Sequence, residues 1–114
     1  MGAYTETKTL ADCTVGDRWV GISEITATIN GETPGPNLER VVLTFRLGQA
    51  IYALDSDDGD IEITDADAWE CSIAARDDFL PRAGLWNWEM AFYFGDDSCW
   101  TLYKGQIRVW DDLD

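Results

Sequence analysis

The chain has 114 residues, with 22 acidic and 8 basic side chains, no histidine, and a net charge of -14 at pH 7. That length suits one domain around one core, and a composition that is 46% hydrophobic and 12% aromatic excludes intrinsic disorder. The missing imidazole excludes Ser-His and Cys-His catalysis and histidine metal sites.

Residues 1–16 are expected to form an N-terminal edge strand or arm, centred on the threonine-rich Tyr4–Leu10. Met1-Gly2-Ala3-Tyr4 lacks the basic and apolar regions of a signal peptide, and no stretch reaches the ~18–20 apolar residues of a membrane span. Cytosolic synthesis is the expectation. Residues 19–29 read as a strand pair broken near Ser23-Glu24, and Asn30–Asn37, with Gly31, Pro34, Gly35 and Pro36, reads as a loop.

Alternation is clear from residue 41 onward. Val41, Leu43, Phe45 and Leu47 share one face of a strand, with Val42, Thr44 and Arg46 on the other. Ile51–Leu54 is a short strand, and Asp55-Ser56-Asp57-Asp58-Gly59-Asp60 is a hairpin turn whose Asp-Gly pair suits positive φ. Ile61 and Ile63 continue with period two until Asp65-Ala66-Asp67. Trp69, Cys71, Ile73 and Ala75 make the next inward set, and residues 77–84 form a connection punctuated by Pro81 and Gly84. The strongest strand follows: Trp86, Trp88, Met90, Phe92 and Phe94 face one way, Leu85, Asn87, Glu89, Ala91 and Tyr93 the other. Gly95-Asp96-Asp97-Ser98 turns the chain, and the returning strand from Cys99 is expected to bulge at Gly105 before Ile107 and Val109. Seven to nine short strands with regular turns, and no amphipathic helix, predict an all-β protein. The economical fold at this length is an immunoglobulin-like antiparallel β-sandwich spanning 1–114 as a single domain.

The charge is uneven. Residues 1–54 carry 6 acidic and 4 basic side chains, residues 55–114 carry 16 and 4, and five of the six tryptophans lie in the second part. Such a field repels nucleic acid and anionic membrane, so neither is an expected partner. It also makes the domain repel itself. Moderate salt is therefore expected to raise the melting temperature by screening. A melting temperature that does not move between low and physiological salt would mean that the acids are paired or hold cations.

Asp55, Asp57, Asp58 and Asp60 are the candidate calcium ligands, with Asp65 or Asp67 nearby. The EF-hand spacing fails, because position five from Asp55 is Gly59 and position twelve is Ala66. A plain acidic turn is the preferred reading, so no metal and no cofactor is predicted. Cys13, Cys71 and Cys99 form no C-x-x-C pair and are expected to be reduced; a Cys71–Cys99 disulfide would require their strands to face each other. No phosphate loop, no G-x-S-x-G and no cleft that would raise a carboxylate pKa is legible, so no catalytic residue is assigned and the chain is not expected to be an enzyme.

Trp69, Trp86 and Trp88 fall on inward registers. Trp110 falls on the outward register of the last strand, and Trp100 lies opposite Cys99 and Thr101, so its placement depends on which side is buried. Trp100, Trp110, Tyr93 and Tyr4 are the interface candidates. A sugar-stacking platform is the alternative use of the tryptophans, and an acidic mimic of DNA is a third. Most acids fall in turns, and strand-face acids are few, mainly Glu62, Glu70 and Glu89.

Five segments also carry a resemblance. Leu43-Thr44-Phe45-Arg46-Leu47, Ile61-Glu62-Ile63-Thr64-Asp65, Ala83-Gly84-Leu85-Trp86-Asn87-Trp88-Glu89-Met90, Gly95-Asp96-Asp97-Ser98-Cys99-Trp100-Thr101 and Gly105-Gln106-Ile107-Arg108-Val109 follow one another in that order. The series is similar to small immunoglobulin-like domains of tailed-phage baseplate and tail proteins, nearest to the N-terminal domain of upper baseplate proteins from phages of Gram-positive bacteria. The resemblance covers about residues 17–110. It implies a structural or adaptor role in a phage or prophage tail, a place in the virion, and docking onto other tail or baseplate proteins or onto copies of itself. It implies no catalytic residues.

Overall fold

The computed structural model describes residues 6–7, 13–14, 19, 21–27, 36–76, 80 and 82–110. Their strands are β1 (Glu6–Thr7), β2 (Cys13–Thr14), β3 (Ile22–Thr26), β4 (Leu38–Leu47), β5 (Ala50–Asp55), β6 (Ile61–Asp65), β7 (Glu70–Ile73), β8 (Gly84–Phe94) and β9 (Cys99–Trp110). Among the described residues no helix is long and apolar enough to cross a membrane.

The strands form two layers. The larger sheet runs β9-β8-β4-β5, all antiparallel, with β1 and β2 both added to the free side of β9 in parallel. The smaller sheet runs β3-β7-β6, also antiparallel. In chain order, β3, β7 and β6 occupy the B, E and D positions of an immunoglobulin sandwich, and β4, β5, β8 and β9 the C, C′, F and G positions. The fold is an immunoglobulin-like β-sandwich.

The inward registers of β4 and β8 follow the alternation of the sequence. Val41, Leu43 and Phe45 are buried, and so are Trp86, Trp88, Met90, Phe92 and Phe94. Ile61, Cys71 and Ile73 meet them from the smaller sheet, and Leu102, Tyr103, Ile107 and Val109 from β9. A buried ring of this kind removes ~150–250 Å² from water, which at ~25 cal/mol per Å² is worth roughly 4–6 kcal/mol. One contact from β9 ties the layers together: the Tyr103 hydroxyl donates to the Thr26 carbonyl of β3 at 3.3 Å, while within the larger sheet the Phe92 ring meets that of Tyr103 edge to face at 5.7 Å.

Several expected details are corrected. Residues 22–26 form one strand, and the break at Ser23-Glu24 is a bulge against β7 between Ile22 and Ile25. Trp69 is buried but lies in the turn before β7, with a left-handed φ of 57°. Its indole donates to the Pro36 carbonyl at 2.9 Å and its ring packs on Phe94 at 4.4 Å. That anchorage holds a conformation that a bulky residue rarely adopts. Ala75 is exposed, because β7 ends at Ile73. The bulge in β9 falls at Leu102, not Gly105: Met90 pairs with Tyr103 and Ala91 with Thr101, which leaves Leu102 unpaired, while Gly105 sits in register opposite Trp88. Gly95–Ser98 is the expected hairpin turn, with Asp97 in the left-handed position at φ 66° and Phe94 N–H donating to the Ser98 carbonyl at 3.0 Å.

Asp55–Asp60 is a corner, not a hairpin. It carries the chain from β5 in the larger sheet to β6 in the smaller one through a 3-10 turn at Ser56–Asp58, closed by Gly59 at φ 85°. The Ser56 hydroxyl accepts from Val41 N–H at 2.9 Å, which pins the corner to β4. Arg76 makes a second inter-layer tie. Its backbone pairs with Trp19 in both directions, 2.8 and 2.9 Å, while its guanidinium reaches Asp60 at 3.4 Å and lies 5.8 Å from the Tyr52 ring centre.

Candidate docking surface

The outer face of the larger sheet is built from the residues that alternate with the core. Arg46 lies opposite Ile51 on β5 and Asn87 on β8, and Asn87 lies opposite Gln106 on β9. Gln106 Nε2 donates to Asn87 Oδ1 at 3.0 Å. In the neighbouring row Leu85 faces Arg108, whose guanidinium sits 5.2 Å from the Trp110 ring centre. Ile51, Leu85 and Trp110 are 63%, 38% and 55% exposed and are the exposed large hydrophobics among the described residues. All three share one end of this face. Beside them Thr44, Glu89 and Lys104 form the next row, over a shallow polar trough of about 480 Å³.

Of the four interface candidates, Trp110 is on this surface. Tyr93 is on the same face at its other end, half-buried under Arg40, 5.2 Å from the ring centre. A hydrogen bond with the Cys99 thiol pushes its phenol above the usual tyrosine value. Trp100 is not on this surface. It lies ahead of the Leu102 bulge, on the inward register opposite Phe92, and packs half-buried on the core. Tyr4 lies outside the described residues. Glu6–Thr7, within the expected N-terminal edge strand or arm, pairs with this chain's own β9. Sequence reasoning misses Ile51 and Leu85. The signal for Leu85 was present, since it alternates with Trp86; Ile51 sits in an apolar run with no polar residue to mark its outer side.

The four calcium candidates are engaged otherwise. Arg40 Nε donates to Asp55 Oδ1 at 3.0 Å and its Nη2 contacts Asp55 Oδ2. Asp57 Oδ2 lies 3.3 Å from the same Nε. Asp60 accepts from Asp55 N–H at 3.3 Å and from Arg76 at 3.4 Å. Asp58 is exposed. The carboxylates spread onto two arginines and the backbone, and among the described residues no cluster of three or more acids or thiols is arranged to hold a metal ion.

The Arg40 hydrogen bond holds the Asp55 carboxyl below the usual carboxylate range. A depressed folded-state pKa means that this contribution is present above the unfolded value of about 3.9 and is lost as pH falls through the folded one. Arg40→Met is therefore expected to flatten the fall in the urea midpoint between about pH 4 and pH 2. An acid limb as steep as that of the parent chain would show that Asp55 does not carry it.

Cys71 and Cys99 are both free, Cys71 buried in the smaller sheet and Cys99 exposed on the larger one, so the disulfide considered from the sequence does not form. Burial, with the charge of Glu70, pushes the Cys71 thiol up to about 12. Alkylation of the native protein followed by peptide mapping is expected to label Cys99 and spare Cys71 until the chain is unfolded. Equal labelling of both under native conditions would contradict the buried placement of Cys71.

Between the layers lies an apolar cavity of about 210 Å³, lined by Ile22, Ile25, Leu43, Trp88, Met90 and Tyr103 among others. Among the described residues the buried Nε1 of Trp88 has no hydrogen-bond partner, unlike that of Trp86, which donates to the Arg82 carbonyl at 2.9 Å.

Set against known proteins, the chain matches no family model, no curated protein and no solved structure.

Proposed function

We propose that this chain is a non-enzymatic docking module, a structural or adaptor domain of a phage or prophage tail of the baseplate type that binds neighbouring subunits. The observation that carries the docking part is the outer face of the larger sheet. There, Ile51, Leu85 and Trp110 lie exposed at one end, interleaved with Arg46 and Arg108, on a scaffold whose other five tryptophans are buried or half-buried. Exposed aromatic and aliphatic anchors beside arginine are the composition of binding hot spots. The acidic turns keep free subunits apart and suit a basic neighbour. The tail attribution rests on the five strand segments that resemble baseplate domains.

The test is the protein content of tail particles. Tails purified after prophage induction from a strain carrying the gene are expected to contain peptides of this chain in fixed ratio to the other tail proteins. Particles complete without it would overturn the tail attribution.

Carbohydrate binding is the second reading, favoured by the exposure of Trp110 beside Arg108. A stacking platform uses more than one open ring, and Trp110 is the exposed one of the six tryptophans. Quenching of tryptophan fluorescence by glycans, abolished in Trp110→Ala, would favour this reading over docking.

A further inference from the structure

A sheet edge presents unpaired N–H and C=O groups, and proteins guard such edges with charge, bulges or cover. Among the described residues the two sheets have four edges. The β9 edge is covered by Glu6–Thr7 and Cys13–Thr14. The β3 edge is bulged between Ile22 and Ile25 and carries Glu24. The β6 edge breaks register between Ile63 and Asp65 and carries Glu62 and Asp65.

Among the described residues the β5 edge has none of these guards. Residues 50–55 pair with β4 in unbroken register from Ala50↔Leu47 to Asp55↔Val42. Ala50-Ile51-Tyr52-Ala53-Leu54 contains no charge and no proline, in a chain of net charge -14. Among the described residues nothing pairs with its outer side. Ile51, the most exposed large hydrophobic of those described, stands on it. Asp55, its one acid, is engaged by Arg40.

We infer that β5 is the edge through which the domain adds to a second copy of itself, β5 against β5 in antiparallel fashion about a two-fold axis at Tyr52. The inference rests on the docking reading and names its edge and partner. The charge pattern selects the occupant. Two copies that each carry -14 can approach only where like charges do not oppose one another. Centred on Tyr52, the pairing sets Ile51 against Ala53 of the copy, Ala50 against Leu54, and Asp55 against the uncharged Gln49. Tyr52 meets its own copy on the axis, large side chains meet small ones on either side of it, and no two charges face, as an isologous contact allows. The larger sheets then run on through both copies, with the two Ile51 side chains on one continuous outer face. Edge pairing buries less than the ~1,200 Å² of a standard interface, so the dimer belongs at protein concentrations of about 0.1–1 mM.

Light scattering over that range, at low and physiological salt, tests this. The expected mass rises from 12.8 kDa toward twice that value, more readily with salt, because screening relieves the repulsion between copies. Ile51→Lys and Ala53→Glu are each expected to stay monomeric with an unchanged melting temperature, since both positions are exposed. Mixing the two variants is expected to restore the dimer, because Lys at 51 then faces Glu at 53. A parent chain that remains monomeric throughout, or a dimer indifferent to both single variants, overturns the assignment of β5. A mixture that stays monomeric overturns the Tyr52-centred register. None of these results bears on whether the chain is present in tail particles, so failure of this inference and failure of the tail reading are told apart.

Discussion

Trp69→Ala is expected to lower the unfolding free energy by about 3–5 kcal/mol, measured by urea denaturation at neutral pH. Against a total of about 5–15 kcal/mol for a domain, that is a large share. Three losses combine at this residue. A side chain only 2% exposed is removed from the core, the Pro36 carbonyl loses its donor, and the ring that packs on Phe94 disappears. The left-handed backbone at φ 57° stays behind with nothing to hold it. Tryptophan-to-phenylalanine variants separate the hydrogen bond from the packing. Trp88 Nε1 has no partner to lose among the described residues, so Trp88→Phe is expected to cost about 1 kcal/mol less than Trp69→Phe. Equal costs would show that the Pro36 hydrogen bond contributes nothing net.

Gly21→Ala is the second large effect, at about 3–4 kcal/mol. A Cβ at Gly21 would stand 2.2 Å from the Ile73 carbonyl oxygen and 2.7 Å from the Ala74 carbonyl carbon, both backbone atoms that cannot swing aside. The residue also sits at φ 76°. Accommodating the methyl group means moving β3 away from β7, which opens the smaller sheet. Gly59→Ala is the control. Its φ is 85°, but a Cβ there meets nothing within 4 Å, so only the left-handed strain of about 1–2 kcal/mol is expected. A similar cost at both positions would show that backbone strain, and not the close approach of β3 and β7, dominates at Gly21.

How far the sequence announced this molecule depends on the strand. β4 and β8 were legible because each alternates large apolar residues with polar ones, so a one-residue error would have put Arg46 or Glu89 in the core. The sandwich class followed from strand number and spacing. Strand order did not follow, because alternation describes a strand's faces and is silent about its neighbours. For the same reason Asp55–Asp60 was legible as a turn and not as a passage between layers. The Asp-Gly pair signals positive φ at Gly59, whichever sheet the next strand joins.

The docking surface was partly legible. Trp110 and Leu85 could be placed outward by counting from their neighbours. Trp100 could not, because its facing depends on the bulge at Leu102, which no glycine or proline marks. Ile51 could not either, since Ile51-Tyr52-Ala53-Leu54 carries no polar residue to distinguish its two sides. The Arg76 tie was invisible because its partners Trp19, Tyr52 and Asp60 lie 16 to 57 residues away in the chain.

The unpaired residue at Leu102 acts as a phase switch for the last two thirds of β9. Leu102 and Tyr103 both face inward, and every side chain after them is displaced by one step of the pleat. Without that step, Lys104, Gln106, Arg108 and Trp110 would take the inward positions, and Ile107 and Val109 would be turned to water. One extra residue therefore decides whether the final strand presents its cations and its tryptophan to the outside or to the core. Length changes at this point are not interchangeable with length changes in the turns, because a single deletion inverts the polarity of all that follows.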